Sequence, residues 1–458
     1  MKVIICGAGQ VGFHIAKHLS DQRNDVTVID RSEELVRQIS DSLDVQGLVG
    51  HASDPAMLAK ANASEAELIV AVTQSDEVNM VACQVAHSIF NVPKKIARIR
   101  NQSYLKTKWA DLFTRKALPI DVIISPEIEV AAALARRLQV PGAFNMLPFV
   151  DGRVRVIGMH LDADCPVVDT PLRQLTELFP NLRTTVMAVI RGQKVFVPTG
   201  RDQLQVGDDI YISVDRELTQ RTMAVFGHQE KEARRVTIVG GGNIGEALAQ
   251  RLEADQPGII LKLIELDEAR ATQLAESLKS TLVINGDALS REILIEANME
   301  ETETIVTVAD DDEVNILASL LAKRMGCSRA ITLMNNPIYG TLVGSIGIDV
   351  ALDPRETTVS SIVQHMRRGR IRDLQSIREG QAEIIEAEVI ESSTLVGKTI
   401  RELRMHNEVR VGMIVRGDEA INPVADTKFE AGDRVVLLVL TGSVEKLEKQ
   451  FTARVDFF

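Results

Sequence analysis

The sequence MKVIICGAGQVG at Met1–Gly12 decides the fold of the first part of this 458-residue chain. An apolar run, Val3–Cys6, leads into the glycines, and apolar residues at helical spacing, such as Ile15 and Leu19, follow them. A strand, a tight glycine turn and a helix are therefore predicted in that order. A related sequence, RVTIVGGGNIG, occupies Arg235–Gly245 and predicts the same unit a second time.

The internal repeat extends well beyond these two stretches. The tetrapeptide DEVN stands at Asp76–Asn79 and again at Asp312–Asn315, and a smaller region with a Gly-Asp pair follows each half, at Gly207–Asp208 and Gly432–Asp433. Two copies of a two-lobed module are therefore predicted. The predicted segments are a Rossmann lobe at 1–125, a linker helix at 126–144, a small lobe at 145–230, a second Rossmann lobe at 234–352, a linker helix at 353–372 and a second small lobe at 373–458.

Helical and strand patterns alternate through the larger lobes. In the first of them, strand patterns lie at 26–29, 45–49, 67–72 and 95–99, with helical patterns between them at 33–43, 54–61 and 76–90. This alternation predicts right-handed crossovers and a parallel sheet. The small lobe has strand patterns at 154–160, 184–191 and 209–214 and a short helical pattern at 172–178. The predicted fold class is α/β, with two tandem modules that each hold a Rossmann-like parallel-sheet N-lobe and a small α+β C-lobe.

The three glycines of each motif have different structural roles. The first permits the turn, the second lets backbone N–H groups approach a phosphate, and the third lets the helix lie close to the sheet. A lone GxGxxG motif is weak evidence, but here each copy follows a strand and opens a helix. We therefore expect nucleotide binding, the alternative being a vestigial fold element. The candidate residues are Gly7, Ala8, Gly9, Gln10, Val11 and Gly12, and in the second copy Gly240, Gly241, Gly242, Asn243, Ile244 and Gly245.

An acidic residue ends the second strand pattern of each copy, Asp30 in the first and Glu265 in the second. A carboxylate at this place accepts hydrogen bonds from the ribose hydroxyls of adenosine and repels a 2′-phosphate. The expected ligands are therefore NAD(H) and ATP or ADP, rather than NADP(H). The alternative is a surface acid that merely follows a strand.

Further candidates follow the fourth strand pattern, at the edge where open α/β sheets hold their ligands. They are Thr73 and Gln74 in the first copy and Ala309 and Asp310 in the second. Edge position is the only argument for these four residues.

Two arginines, Arg98 and Arg100, follow on the fifth strand pattern, where guanidinium groups can pair with phosphate oxygens. Alignment of the two copies places Thr332 opposite Arg98 and Met334 opposite Arg100. The first site is therefore expected to accept more phosphate charge than the second, which has acidic residues at Asp310–Asp312.

The composition argues against several classes of function. With 52 basic and 64 acidic residues the net charge is −12, which disfavours a nucleic-acid coat and a polybasic membrane anchor. No apolar run approaches the roughly 18 residues of a membrane-spanning helix, and no signal-peptide pattern is present, so a cytoplasmic location is expected. The four cysteines form no CxxC pair and the histidines no HExxH cluster, so no metal site is expected.

An enzyme is not expected either. The small lobes have no His–Asp, Ser–His or Cys–His combination at a spacing typical of proton transfer or nucleophilic catalysis. One alternative is an NAD-dependent oxidoreductase with duplicated cofactor domains. Another is a structural assembly subunit whose nucleotide pockets bind nothing.

The two glycine motifs, the Asp30 and Glu265 pair, the doubled DEVN and the two Gly-Asp lobes together resemble the TrkA family of Trk potassium uptake systems. That family consists of tandem regulator-of-potassium-conductance (RCK, or KTN) modules, and the resemblance covers essentially the whole chain. It implies a nucleotide-sensing gating subunit on the cytoplasmic face of the bacterial inner membrane. The implied partner is a membrane-embedded potassium translocating subunit of the TrkH/TrkG type, and a homo-oligomer, expected to be a tetramer, is implied as well.

The resemblance also implies nucleotide contacts, residue by residue. Thr332 is the weakest of them, because the family has an arginine at that position. The implied contacts are Gly7 to Val11, Asp30, Thr73, Gln74 and Arg98 in the first copy, and Gly240 to Ile244, Glu265, Ala309, Asp310 and Thr332 in the second.

Overall fold

The first Rossmann lobe is a parallel sheet with helical crossovers. The structure, a computed structural model, describes residues 1–114, 117–179, 182–229, 232–336, 339, 346–366, 371–378, 380–403, 407–444, 447 and 451. The lobe contains β1 (Lys2–Cys6), α1 (Gln10–Asp21), β2 (Asp25–Asp30), α2 (Glu33–Ser42), β3 (Gln46–Val49), α3 (Pro55–Lys60), β4 (Leu68–Ala71), α4 (Asp76–Ser88), β5 (Lys94–Arg98) and β6 (Val122–Ile124), and α5 (Pro126–Gln139) follows it. The strand order β3-β2-β1-β4-β5-β6 places the switch point between β1 and β4, where such sheets bind ligands.

Short polar side chains begin helices α2, α3 and α4 of this lobe. Ser32 accepts a hydrogen bond from the Leu35 amide at the start of α2, and Ser75 does the same for Val78 at the start of α4. Asp54 caps α3, whose first residue is proline. These caps satisfy amide groups that have no partner within the helix, so local sequence determines where each helix begins.

The first small lobe is an antiparallel sheet with two short helices among the described residues. It contains β7 (Ala143–Phe149), β8 (Val154–His160), α6 (Leu172–Leu178), β9 (Thr184–Arg191), β10 (Lys194–Phe196), β11 (Asp209–Asp215) and α7 (Thr219–Val225), with the strand order β10-β9-β11-β8-β7. The strand and helix patterns predicted for this lobe are all present. Strands β7 and β10 and helix α7 were not predicted.

The second half repeats this plan, which confirms the predicted fold class. Its Rossmann lobe contains β12 (Arg235–Val239), α8 (Asn243–Asp255), β13 (Ile260–Glu265), α9 (Glu268–Ser277), β14 (Leu282–Asn285), α10 (Arg291–Glu296), β15 (Thr304–Thr307), α11 (Asp312–Arg324), β16 (Arg329–Leu333) and β17 (Val350–Leu352), and α12 (Pro354–Met366) follows it. Its small lobe contains β18 (Ile371–Ile377), β19 (Ala382–Glu388), β20 (Val409–Arg416), β21 (Glu419–Ile421) and β22 (Arg434–Leu440). The strand orders are β14-β13-β12-β15-β16-β17 and β18-β19-β22-β20-β21.

The four lobes group by kind and not by sequence order. One compact unit consists of Met1–Ala135 and Arg234–Met366, which contain both Rossmann lobes. The other contains both small lobes, Arg136–Ala233 and the described residues after Met366. Within the first unit, α12 of the second half packs against α1 and β6 of the first half. The segment boundaries expected from the sequence stay a prediction, and residues 367–370 of the expected second linker lie outside the described residues.

The sheets of the two small lobes share one hydrophobic core. Met187 on β9, Met413 on β20 and Val436 on β22 are all fully buried in it. The backbones approach so closely that a Cβ on Gly412 would lie 2.7 Å from the Met187 side chain, and the Ser213 hydroxyl donates a 2.8 Å hydrogen bond to the Gly412 carbonyl oxygen. Burial of this shared apolar surface holds the two small lobes together.

The repeated Gly-Asp pairs have a structural role. Asp208 is buried and accepts two hydrogen bonds of 2.8 Å from the Arg191 guanidinium, and Asp433 holds Arg416 in the same way at 2.8 and 3.0 Å. Bidentate pairs of this kind are strong and directional. Each pair therefore ties the turn before the last long strand to the strand beside it.

We predict that Gly12→Ala destabilises the first Rossmann lobe. A Cβ at Gly12 would lie 1.8 Å from the Gly7 carbonyl oxygen, so α1 must move away from the turn. Overpacking of this kind costs about 1–3 kcal/mol. The measurement is the thermal midpoint of unfolding. Gly9→Ala is the matched control, since a Cβ there meets no atom within 4 Å, and equal midpoints for the two variants would contradict the prediction.

Candidate functional site

The first glycine turn brings the start of α1 to the edge of a cavity. Gly7 has a φ of +116°, and a Cβ there would lie 3.0 Å from the Val72 carbonyl oxygen, so the position requires glycine. Gly12 allows α1 to lie directly on this turn. Gly9 lines the cavity, with open space where its side chain would be. The three glycines thus have the geometry that the sequence pattern predicts.

Helix α1 begins without a side-chain cap. Its N-cap residue is Gly9, and no acidic residue stands in its first turn. The first amide groups of a helix have no partner within the helix, and the helix dipole makes this end positive. An anionic group of a ligand can therefore take the place of the cap.

The Asp30 carboxylate is held against the glycine turn. One of its oxygens accepts a 2.7 Å hydrogen bond from the Ala8 amide, and the other accepts a 2.9 Å hydrogen bond from the Ser32 amide. Both bonds orient the carboxylate at the cavity wall. Since a carboxylate has about four acceptor positions, it keeps capacity for the hydroxyl groups of a ribose.

The DEVN motif organises the sheet edge, a role that the sequence analysis missed. Asn79 is fully buried, and its side-chain oxygen accepts hydrogen bonds from the Thr73 amide (2.9 Å) and hydroxyl (2.7 Å). Its side-chain nitrogen donates to the carbonyl oxygens of Thr73 and Arg98, the latter at 2.9 Å. Asn79 thereby joins the ends of β4 and β5. The available signal was the verbatim recurrence of the tetrapeptide.

The Arg98 side chain lines the cavity without an acidic partner among the described residues. Its Nη2 donates a 2.8 Å hydrogen bond to the Thr73 carbonyl oxygen, and its buried Nε makes no hydrogen bond. Burial lowers the pKa of the guanidinium, and the nearby Arg100 adds to this effect. A buried cation in this state is stabilised by an anion, so Arg98 is suited to a phosphate group.

Arg100 also lines the cavity, but its charge is already paired. Its Nε donates a 3.0 Å hydrogen bond to the buried carboxylate of Glu127. Its backbone amide donates to Asp76, which accepts from the Asn101 amide as well. Arg100 therefore offers a ligand less unbalanced charge than Arg98 does.

The alignment of Thr332 with Arg98 was wrong by one residue. Asn315, the counterpart of Asn79, donates to the Leu333 carbonyl oxygen as Asn79 does to that of Arg98. Leu333 is therefore the counterpart of Arg98, because the connection between α11 and β16 is one residue shorter than its equivalent in the first half. Thr332 is fully buried and hydrogen-bonded to Ser319 at 2.8 Å, and it does not line the cavity.

The alignment of Met334 with Arg100 was wrong for the same reason. The backbone amide of Asn335 donates to Asp312, as that of Arg100 donates to Asp76. Asn335 is therefore the counterpart of Arg100, and it lines the cavity. The second half thus has a leucine and an asparagine where the first half has two arginines.

The second glycine turn repeats the backbone of the first. A Cβ at Gly245 would lie 1.9 Å from the Gly240 carbonyl oxygen, and a Cβ at Gly242 would meet nothing within 4 Å. Glu265 accepts a 2.6 Å hydrogen bond from the Gly241 amide, as Asp30 does from Ala8. The backbone conditions for ligand binding are therefore met twice.

The side chains around the second turn differ from those around the first. Glu246 stands in the first turn of α8, where it forms a 2.7 Å ion pair with Arg270. Arg270 also donates a 2.8 Å hydrogen bond to the Gly241 carbonyl oxygen. A carboxylate at this helix start already interacts with the positive end of the dipole, so phosphate charge is less favoured here than at α1.

Only some of the predicted residues line the cavity, whose volume is about 1310 Å³. Those that line it are Gly7, Gly9, Gln10, Val11, Asp30, Thr73, Gln74, Arg98, Arg100, Ile244, Ala309 and Asp310. Those that do not are Ala8, Gly12, Gly240, Gly241, Gly242, Asn243, Gly245, Glu265 and Thr332. The cavity is therefore centred on the first glycine turn, and the second half contributes one wall.

Arg355 is a cavity residue that the sequence analysis missed. It stands at the start of α12, where Asp353 binds its guanidinium at 2.9 and 3.0 Å, and its Nη1 donates a 2.7 Å hydrogen bond to the Gln10 side chain. Gln10 is the first residue of α1, so an arginine of the second half contacts the first glycine turn. No periodic pattern signals a contact between residues so far apart in the chain.

Outside this cavity, the described ranges offer no metal site and no membrane-spanning helix. They contain no group of three or more His, Cys, Asp or Glu side chains that could hold a metal ion. None of their helices combines the length and the apolar character that a membrane crossing needs. The four cysteines are buried and unbridged, and burial raises the pKa of Cys6 to about 12, which disfavours a reactive thiolate.

Two domain families match the chain, each of them twice. The TrkA-N domain matches residues 3–126 and 236–354, and the TrkA-C domain matches residues 156–227 and 384–452. The chain is 46% identical to the Trk system potassium uptake protein TrkA of Azorhizobium caulinodans, over 100% of both chains. It is 39% identical to the protein of the same name from Halomonas elongata, again over 100% of both.

Solved structures with the same fold include the GsuK channel. That channel has a TM-score of 0.61 and 16% identity, over 98% of this chain and 78% of the channel chain. The GsuK channel bound to NAD has a TM-score of 0.59 at the same identity and the same coverage of both chains. The GsuK RCK domain has a TM-score of 0.58 and 15% identity, over 98% of this chain and 94% of that one. At such low identity the likeness concerns the fold alone.

We predict that Arg98→Met weakens ADP binding by about tenfold or more. The variant loses a charge-assisted contact to phosphate, which contributes about 1.5–3 kcal/mol. Isothermal titration of the full chain measures the change. Adenosine, which has no phosphate, is the control ligand and is expected to bind both proteins alike. An unchanged ADP affinity would show that Arg98 does not contact phosphate.

Proposed function

Because the chain belongs to the TrkA family of Trk system potassium uptake proteins, we propose that it is the nucleotide-sensing regulatory subunit of a potassium uptake system. In this proposal it binds NAD(H), ATP or ADP in its Rossmann lobes and controls a membrane-embedded potassium translocating subunit of the TrkH/TrkG type. It acts at the cytoplasmic face of the inner membrane as a homo-oligomer, a tetramer by our expectation, and it catalyses no reaction.

The observation that carries the proposal is the cavity at the first glycine turn. It combines an uncapped helix start at Gly9, an oriented carboxylate at Asp30 and an arginine without an acidic partner at Arg98. These are the groups that bind a phosphate, a ribose and a second phosphate of one nucleotide. The volume of about 1310 Å³ is ample for a dinucleotide.

The choice among nucleotides rests on charge. Asp30 disfavours the 2′-phosphate of NADP(H), whereas Arg98 favours the diphosphate that NAD(H), ADP and ATP share. The GsuK channel, which has this fold, is bound to NAD in one solved structure, so NAD is included among the ligands to be tested. The second turn, with its Glu246–Arg270 pair, is expected to take less phosphate charge.

A nucleotide regulates such a subunit only through differential affinity. It must bind one arrangement of the lobes more tightly than another. Shifting a gate from 1:99 to 99:1 requires about 5.5 kcal/mol, which several copies of the site in an oligomer can supply with modest individual preferences. Assembly of several chains is therefore an integral part of the proposal.

The contact between Arg355 and Gln10 provides a route for this effect. A phosphate at the start of α1 lies beside Gln10, where it competes for the Arg355 guanidinium or adds a second partner to it. Either change alters how α12 of the second half is held against α1 of the first. Occupancy of the first turn is thereby transmitted to the other Rossmann lobe.

We expect the purified chain to be stabilised by NADH, NAD, ATP or ADP and not by NADPH. A ligand at 100 times its Kd raises the free energy of unfolding by about 2.7 kcal/mol, which the thermal midpoint reports. Asp30→Ala should reduce the discrimination against NADPH, because the repelling charge is removed. Absence of any midpoint shift in the wild-type protein would leave the pockets without a sensing role.

Measurement of potassium uptake by cells tests the proposed regulatory role directly. Cells that lack the chain should regain uptake with the wild-type protein and lose its nucleotide response with Arg98→Met. A substrate-dependent change in NADH absorbance by the purified protein would instead support the oxidoreductase alternative.

A further inference from the structure

A second, smaller cavity lies within the unit formed by the two small lobes. Its volume is about 120 Å³. Leu172 and Thr185 of the first small lobe line it, and so do Arg410, Asn422 and Val424 of the second. Both small lobes therefore contribute walls to one site.

The Arg410 guanidinium has no partner in the described part of the chain. Its Nε is buried without a hydrogen bond, and no carboxylate of the described residues lies within ion-pair distance. Burial alone lowers the pKa of this group. A partly buried charge without a partner is destabilising, so a partner that balances it is expected from elsewhere.

Several other arginines of this unit have a buried carboxylate partner. Arg191 and Arg416 are each bound by a buried aspartate, and Arg434 is bound by the buried Glu386. Arg410 occupies the position on β20 that corresponds to Thr185 on β9, since Arg416 and Arg191 match. The second small lobe therefore has a cationic side chain where the first has a hydroxyl group.

Polar groups around Arg410 are suited to an oxyanion. The Thr185 hydroxyl donates a 2.9 Å hydrogen bond to the Asn422 side-chain oxygen, which leaves the amide nitrogen of Asn422 as a free donor. Arg183, an exposed residue with a φ of +46°, adds a second positive charge to the cavity lining. Among the described residues, none that lines the cavity is acidic.

We propose that this cavity binds a short-chain carboxylate, with its oxygens on Arg410 and Asn422 and its hydrocarbon tail against Leu172 and Val424. A volume of about 120 Å³ suits an anion the size of butyrate and is well below the roughly 300–1,000 Å³ of pockets that hold drug-sized ligands. Apolar walls favour a carboxylate with a hydrocarbon tail over the more strongly hydrated phosphate. A bound carboxylate bridges the two small lobes and stabilises their pairing.

The test compares butyrate, inorganic phosphate and 1-butanol as probes on the full chain at constant ionic strength. Butyrate should raise the thermal midpoint, since it binds the native state, whereas butanol and phosphate should not. Isothermal titration should give a butyrate affinity at least tenfold lower in Arg410→Met and an intermediate affinity in Arg410→Lys, which retains the charge.

Three results of these measurements would contradict the proposal or a part of it. A butyrate effect that is equal in wild type and Arg410→Met, or absent from wild type, overturns the proposal. A phosphate effect equal to that of butyrate overturns the choice of a carboxylate. Should Arg410→Met fail to fold, Asn422→Ala tests the same contact and is expected to weaken butyrate binding severalfold. Nucleotide binding in the other unit serves as a control and should be unaffected by these variants.

Discussion

Gly12 lies so close to the preceding turn that a Cβ on it would come within 1.8 Å of the Gly7 carbonyl oxygen, and Gly245 lies equally close to Gly240, at 1.9 Å. This contact lets the first helix of each half rest directly on the end of the first strand. The uncapped start of the helix is thereby held over the carboxyl edge of the sheet. The carboxylate of Asp30 is aligned on the same turn, and the buried Asn79 joins the neighbouring strand ends to complete that edge.

The two halves use this shared backbone differently. At the first turn the helix start is uncapped and Arg98 has no acidic partner among the residues that the structure describes, so positive potential is left for a ligand. At the second turn Glu246 and Arg270 neutralise each other, and Leu333 replaces the arginine. The second half contributes Arg355 to the first cavity instead. The first half thus has a cavity whose groups are suited to phosphate, and the second half contributes one wall of it.

The sequence predicted the parts of the fold whose causes are local. Strand and helix periodicity located the elements, and the glycine spacing located both turns. The one-residue error at Thr332 has a definite origin: the connection between α11 and β16 is one residue shorter than its equivalent in the first half, and the hydrogen bonds of Asn79 and Asn315 show the true register. The role of Asn79 was missed because a buried amide has no pattern of its own in a sequence.

By itself the sequence determined the two glycine turns, the α/β class, the acidic ends of the second strands and the duplication, because each depends on residues close together in the chain. The tertiary structure alone decided that like lobes group together, that Arg355 contacts Gln10, and that Arg98 and Arg410 have no acidic partner within the described ranges. These features depend on which distant residues meet. Whether a buried charge is balanced is a property of its surroundings in space, which only packing brings together.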